Sequence, residues 1–396
     1  MTNLLETVNP GPPALPGLLS RLRTLPLYQR ALREVPDTAA WADIPFLSRE
    51  CLTEAFTAGE LSHPEAVRVH LTPHPGGGWL PEYATRNDIA RHGEASAAAF
   101  ARAGVVPGDH VQVAFGYHRF AGGWLMQDGL ETLGAKTIPF GPGETDAQLE
   151  TMRRLNVRVL VSAPSFAQKL GEAGARPGLL IAAGEPLSSI EGRREQVEAA
   201  LGCPALDCYA TSEAGLIALE TPQRSGLRVL DDWVYVEVID PESGEPVQDG
   251  GRGELVVTHL TKQAMPLLRF RTGDLTRLER HPEGTFLPAG VFGNVSGMLK
   301  VKGVKLFPRE VAFWLAGHGL DHTQHTLRLS GGGGTDRLHL LVRGTAPDDL
   351  KALYADFQRR FAIRADTLSI DPEHVGQGVR DERHGGASLP EAVTPE

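Results

Sequence analysis

Cysteine is nearly absent: Cys51, Cys203 and Cys208 are the whole complement of a 396-residue chain. Three thiols can build neither a disulfide framework nor a four-cysteine zinc centre, so a reducing compartment, the cytosol, is the expected home. Basic charge is also in deficit, with 39 Lys and Arg against 49 Asp and Glu and a formal net charge of −10. Nucleic acid and anionic membranes, which call for a basic stripe, are therefore not expected partners. Long apolar runs are missing too. No window approaches the roughly 18 residues of a membrane span, and Met1 to Pro10 lacks the basic-then-apolar pattern of a secretory leader. What remains is ordinary globular material, 41% hydrophobic and 22% charged, long enough for two or three domains and suited to small-molecule chemistry.

The order of elements is legible from periodicity and punctuation. Leu18 to Val35 has helical spacing, and Pro45 to Phe56 reads as a loop entering another helix. Arg86 to Ala103 is an alanine-rich helix stopped by Gly104, followed by the Pro107-Gly-Asp turn and a strand from His110 to Phe115. Helix and strand then alternate: Gly122 to Leu133, Lys136 to Phe140, Thr145 to Leu155, Val157 to Ser162, a strand at Leu179 to Ala183, a helix over Ser188 to Leu201, and a strand at Ala205 to Tyr209. Such alternation predicts an α/β fold with mostly parallel strands flanked by helices. From Leu227 the pattern turns β-rich, with strands at Trp233 to Asp240, Gly253 to Leu260 and Leu267 to Phe270, so residues 227–292 are expected to form an antiparallel or barrel-like subdomain. Past Gly293 the order strand, helix, strand, glycine loop, strand, helix, strand suits a small two-layer α+β domain, with a frayed tail from Gly376. Residues 1–295 and 296–396 are the expected large and small domains.

Three stretches stand out in order and spacing: Ala205-Leu-Asp-Cys-Tyr-Ala-Thr-Ser-Glu-Ala-Gly215, Pro266-Leu-Leu-Arg-Phe-Arg-Thr-Gly-Asp-Leu275, and Gly293-Asn-Val-Ser-Gly-Met-Leu-Lys-Val-Lys-Gly-Val-Lys-Leu-Phe-Pro-Arg-Glu310. Together they resemble the motifs of the adenylate-forming superfamily, and most of all its phenylacetate-CoA ligase branch. The stretch Gly108-Asp-His-Val-Gln-Val-Ala-Phe-Gly-Tyr117 and Ala183-Gly-Glu-Pro186 resemble that branch too. The resemblance implies an AMP-forming acid-CoA ligase that uses ATP with Mg²⁺ and CoA, and a mobile C-terminal domain.

In such an enzyme Tyr209 would stack on adenine, Ser212 and Glu213 would face phosphate and Mg²⁺, a cation that prefers oxygen ligands, and Asp274 would accept both ribose hydroxyls. Glu185, Asn294, Gly76 and Gly77 complete the implied nucleotide set. Phe115, Gly116, Tyr117, Gly122 and Gly123 fall where the family shapes its acid pocket. Trp124 and Met126 read as core, and Cys203 and Cys208 as small apolar residues about a buried strand rather than nucleophiles.

Departures from the pattern carry equal weight. The family's Ser-Ser-Gly-Thr-Thr-Gly-Lys-Pro falls on Thr72-Pro-His-Pro-Gly-Gly-Gly-Trp79, so Gly78 stands in place of a phosphate-seeking lysine, and Pro73 and Pro75 offer no N–H to an anion. Gly376-Gln-Gly-Val-Arg380 puts neutral Gln377 where the catalytic lysine is expected, and a donor of that kind is worth several kcal/mol when pre-organised. Ser296 and Gly297 replace the paired hinge acids. Thr221 and Arg228 replace the cysteine and histidine with which relatives could hold zinc, and Pro73 breaks the His70-x-x-x-His74 pair, so no zinc site is expected.

The expected function is activation of a small, aromatic carboxylic acid and its transfer to CoA, with the ATP-dependent step weak or lost. Two alternatives stay open: ATP-independent acyl transfer from acyl-CoA or an acyl-carrier protein, and a non-catalytic module that binds a nucleotide or aryl ligand. A homodimer is the expected assembly.

Overall fold

The computed structural model describes residues 12–73, 79–295, 299–301, 304–306, 308–331, 336–345, 349–361, 363–376 and 378–382. The chain divides into two compact units, residues 1–189 with 193–292, and residues 190–192 with 293–396.

The first unit opens with α1 (Leu15–Leu22) and α2 (Pro26–Ala31) in place of the single helical stretch expected over Leu18 to Val35. Pro26 is the reason. It forces Leu25 into extended backbone and starts a new helix at its first position. Next, α3 (Arg49–Thr57) is capped by Ser48, whose hydroxyl oxygen accepts from Cys51 N at 3.3 Å. The stretch around the degenerate glycine loop is a hairpin, β1 (Ala66–Pro73) against β2 (Trp79–Thr85), with His70 opposite Glu82. Thr85 then caps α4 (Arg86–Arg102) through a reciprocal box: Asp88 N donates to its hydroxyl at 3.0 Å, and its own N–H donates to the Asp88 carboxylate at 2.9 Å.

The α/β alternation follows as expected, through β3 (His110–Val113), α5 (Gly122–Leu133), β4 (Lys136–Pro139), α6 (Thr145–Leu155), β5 (Val159–Ser162), α7 (Pro164–Glu172), β6 (Leu179–Ala183), α8 (Arg193–Leu201) and β7 (Ala205–Thr211). α7 had no counterpart in the sequence reading. α8 begins five residues later than Ser188, because the Asp207 carboxylate holds Ser188 N at 2.9 Å and its hydroxyl at 2.5 Å in a turn. Strands β4, β3, β5, β6 and β7 lie side by side and parallel. β5 and β6 are buried along their whole length, as strands covered on both faces must be.

The β-rich stretch is shared between two sheets. β8 (Gly215–Glu220), β9 (Leu227–Val229), β13 (Glu279–His281) and β14 (Gly284–Leu287) extend the large sheet antiparallel to nine strands, while β10 (Val234–Ile239), β11 (Arg252–His259) and β12 (Phe270–Arg277) lie antiparallel to one another in a second sheet. The expected α/β architecture with a β-rich subdomain is therefore present, although part of 227–292 belongs to the main sheet.

Two glycines let α4 and α5 approach closely. A Cβ at Gly129 would fall 2.4 Å from Ser96 Cβ, and one at Gly93 2.9 Å from Thr132 Oγ1. Gly129→Ala should cost about 1–3 kcal/mol by overpacking, read as a lower Tm; an unchanged Tm would contradict so tight a crossing.

The second unit holds β15 (Gly293–Asn294), β16 (Leu299–Val301), β17 (Val304–Leu306), α9 (Pro308–Gly317), β18 (Asp321–Ser330), β19 (Arg337–Arg343), α10 (Leu350–Phe361), β20 (Thr367–Asp371) and β21 (Gly378–Asp381). Its four-stranded sheet has the order β20-β19-β18-β21, packed on a core that includes Trp314, Phe357 and Leu327. The expected fraying from Gly376 is overturned for 378–381, which pair in parallel with β18 along an edge that would otherwise present open backbone donors and acceptors.

Candidate active site

β7 and β8 meet in a tight corner at Ser212, Glu213 and Ala214. Thr211 Oγ1 accepts from Ala214 N at 3.1 Å, and Gly215 turns the chain with φ +79°, where a side chain would strike the His92 ring 2.8 Å away. Three rings hold the corner from behind. Trp233 Nε1 donates to Ala214 O at 2.9 Å, His92 Nε2 accepts from Leu216 N at 3.0 Å, and His259 Nε2 lies 3.1 Å from Ala214 O. His259 Nδ1 accepts from Leu267 N at 3.0 Å, which leaves Nε2 as its donor. The Trp233 ring meets both imidazoles edge to face.

Burial keeps these imidazoles neutral. His92 is pushed down to about 3 and His70 to about 4, by burial first and then by the Lys262 and Arg68 charges; His259 is held well below its ordinary value by burial. The unfolded chain takes up protons near pH 6.5 while the native chain does not, so stability is complete above that pH and falls as pH drops toward 4. A loss of a few kcal/mol is expected over pH 6.5 to 4 in urea titrations, with a shallower slope for His70→Gln. A flat profile would contradict neutral burial.

The corner's acid, Glu213, is 2% exposed, and its Oε1 lies 2.8 Å from Arg49 Nη2 on the first turn of α3. Lys262 donates to Glu213 O at 3.3 Å and pairs with the buried carboxylate of Glu82. Four residues before Glu213, the Tyr209 hydroxyl donates to Asp274 Oδ2 at 2.7 Å. Asp274 is aimed by its own turn, in which Thr272 Oγ1 accepts from Asp274 N at 3.0 Å and Glu254 Oε1 accepts from Gly273 N at 3.0 Å. Burial and the Asp274 charge raise the Tyr209 phenol well above its ordinary range, so Tyr209 is the donor and Asp274 the carboxylate.

The structure thus brings Tyr209 and Asp274 into contact and places Ser212 and Glu213 on the turn that β7 enters. It also joins the residues read as an acid pocket. Gly122 would press a Cβ on the Phe115 side chain at 3.8 Å, and Gly123 would meet Gly116 O and the Tyr117 ring at 3.0 Å. Glu185 engages elsewhere: its carboxylate accepts from Ser165 N at 3.0 Å and Ser165 Oγ at 2.5 Å, on the first turn of α7. Asn294 lies on β15 of the second unit, and Gly76, Gly77 and Gln377 fall outside the described residues.

Arg49, Glu82, His92, Trp233, His259 and Lys262 were missed from sequence. The donor set fits a ribose diol at Asp274. At Glu213 it fits a metal poorly, because a guanidinium already sits on the carboxylate. Among the described residues, no cluster of three or more His, Cys, Asp or Glu suits a metal ion, and no helix is long and apolar enough to cross a membrane.

Residues 117–262 match the AMP-binding enzyme family. The chain is 33% identical over 314 residues to the phenylacetate-coenzyme A ligase of Pseudomonas putida, covering 72% of this chain and 70% of that protein. It is 33% identical over 286 residues to the enzyme of the same name from Thermus thermophilus, covering 68% of this chain and 64% of that protein, just under two thirds of its length. Among solved structures it is similar to an open conformation of 2-hydroxyisobutyryl-CoA ligase in complex with 2-HIB-AMP and CoA, at TM-score 0.78 and 24% identity over 92% of this chain and 88% of that one, a likeness of fold. The fold is that of an adenylate-forming protein, and the chain belongs to the phenylacetate-CoA ligase-like family within that class.

Proposed function

We propose that the protein activates a small, aromatic carboxylic acid as its acyl-adenylate and passes the acyl group to CoA, with the ATP-dependent step weakened. The observation that carries this reading is the Tyr209–Asp274 pair, bonded at 2.7 Å beside the Ser212-Glu213 turn in a chain of this family. Asp274 would accept the ribose hydroxyls, and the Tyr209 ring, fixed by its own hydroxyl, would offer a face to adenine. An acid carboxylate oxygen would attack the α-phosphorus and expel pyrophosphate; the CoA thiolate would then attack the acyl carbonyl and expel AMP. Positioning supplies most of such a rate, and charge neutralisation the rest.

Charge is where this chain is poor. Gly78 and Gln377 stand where lysines are expected, and Mg²⁺ could reach Glu213 only by displacing Arg49. The same pair favours a second reading, transfer from a ready-made acyl-CoA without ATP; calorimetry that finds acyl-CoA binding and no ATP binding would select it. The second unit would serve as the moving small domain, with the boundary near residue 295. The cytosol is the proposed compartment.

Mass spectrometry of reactions with ATP, Mg²⁺, CoA and a panel of aryl acids tests the main reading. Slow formation of acyl-AMP and acyl-CoA is expected. Tyr209→Phe should lower nucleotide affinity about three- to tenfold, the worth of one hydrogen bond. Absence of both products with every acid would contradict the proposal.

A further inference from the structure

Strand β1 of the hairpin is built inside out. Val67 and Val69 face solvent at 51% and 48% exposure, while His70 and its cross-strand partner Glu82 are buried at 4% and 6%. Arg68 points inward as well and pairs with Asp128 of α5, at 3.3 Å through its second nitrogen. A strand that hides its polar residues and shows its valines gives up the apolar burial that ordinarily holds a hairpin to a core.

What the polar face encloses is a small recess between β1–β2, α4, α5 and the β7–β8 corner, with about 30 Å³ of free volume. That is room for one or two water-sized groups and too little for a ring. Two of the residues in its wall each carry a buried imidazole nitrogen with no protein partner, His70 Nε2 and His92 Nδ1. His92 Nε2 accepts from Leu216 N, so in the neutral ring Nδ1 carries the proton and is a donor without an acceptor. Leaving such groups unmet is destabilising, so the recess favours an occupant that can pair with both.

The recess shares helix α5 with the residues read as an acid pocket. Leu125 and Asp128 line it from α5, the helix that begins with Gly122 and Gly123, and Ser212 lines it from the corner. Its charges are matched, Arg68 with Asp128 and Lys262 with Glu82, while Asp88 accepts from Thr85 N, Gln263 N and Ala264 N. An incoming anion or cation finds no counter-charge left to it, and an apolar group would strand both imidazoles. A hydroxyl is at once acceptor and donor: its oxygen can accept a hydrogen bond from His92 Nδ1–H, and it can pair with His70 Nε2 in either tautomer.

Resting on the acid-activating reading above, we propose that this recess is a specificity subsite for a hydroxyl group on the acid, so that the protein selects a hydroxylated small acid over its unsubstituted parent. Calorimetry on the full chain with AMP, comparing phenylacetate with its 2-, 3- and 4-hydroxy derivatives, provides the test. One hydroxy isomer should bind at least about tenfold more tightly than phenylacetate, since a site built around a hydroxyl rejects the analogue that lacks it. In His70→Phe that ratio should fall to about one; should this variant fail to melt cooperatively, His92→Gln serves in its place, with the ratio lowered there too. Equal binding of all four acids, or a preference that survives in a folded variant, overturns the subsite alone and leaves an ordered water as the occupant. Binding of none of the four contradicts acid activation itself and the subsite with it.

Discussion

Lys262→Met and Glu82→Leu, made singly, should each cost about 3–5 kcal/mol in chemical denaturation, and the double variant should recover most of that loss. Both side chains are almost fully buried, and each is the other's counter-charge. Removing one strands a charge in a low-dielectric interior, whereas replacing both with apolar groups removes the desolvation cost altogether. The carboxyl of Glu82 reveals that cost: burial holds it above the ordinary carboxylate range even against the Lys262 ammonium, and nearby Asp88 and Glu213 push it the same way. The pair also ties β2 to the loop after β11 and, through Lys262 to Glu213 O, to the corner. Single variants within about 1 kcal/mol of the parent would show that Lys262 and Glu82 are not a closed pair.

Restoring the missing charges should raise adenylation more than any other change. Gln377→Lys is expected to speed pyrophosphate exchange with phenylacetate about 10²- to 10³-fold, the scale of one pre-organised donor at a developing negative charge. Gly78→Lys should act mainly on ATP affinity, because a lysine there would meet phosphate before the reaction begins. The two effects are separable as kcat and KM. A parent protein already exchanging at the rate of the Gln377→Lys variant would show that a cation from another position does this work. Arg49, 2.8 Å from Glu213, is one described cation at the corner, and if it did so Arg49→Ala would abolish the exchange.

Local signals announced the sheet more reliably than the site. The helix over Arg86 to Ala103 starts and ends within a residue of its predicted bounds, because a Thr85-x-x-Asp88 capping box is written at its start and Gly104 just past its end. Motif residues were legible for a similar reason: Tyr209, Ser212 and Glu213 lie in one short stretch, and the Thr-Gly-Asp that ends in Asp274 recurs at a fixed order. The supports were not legible. Leu216 meets His92 across 124 residues and Lys262 meets Glu82 across 180, and no periodicity connects positions so far apart. The hairpin β1–β2 escaped because its valines face outward and its charges inward, the reverse of the pattern by which strands are recognised. Glu185 stands in a motif-like segment, and its carboxylate accepts from Ser165 at the start of α7, a contact the sequence does not announce.

Titration of AMP into the parent protein and into Asp274→Ala, followed by calorimetry, bears most directly on the nucleotide pocket. The parent should bind AMP, with little dependence on Mg²⁺ because Arg49 holds Glu213, and Asp274→Ala should weaken that binding at least about tenfold. AMP that does not bind, or that binds equally to both proteins, would contradict the assignment of Tyr209 and Asp274 to a nucleotide.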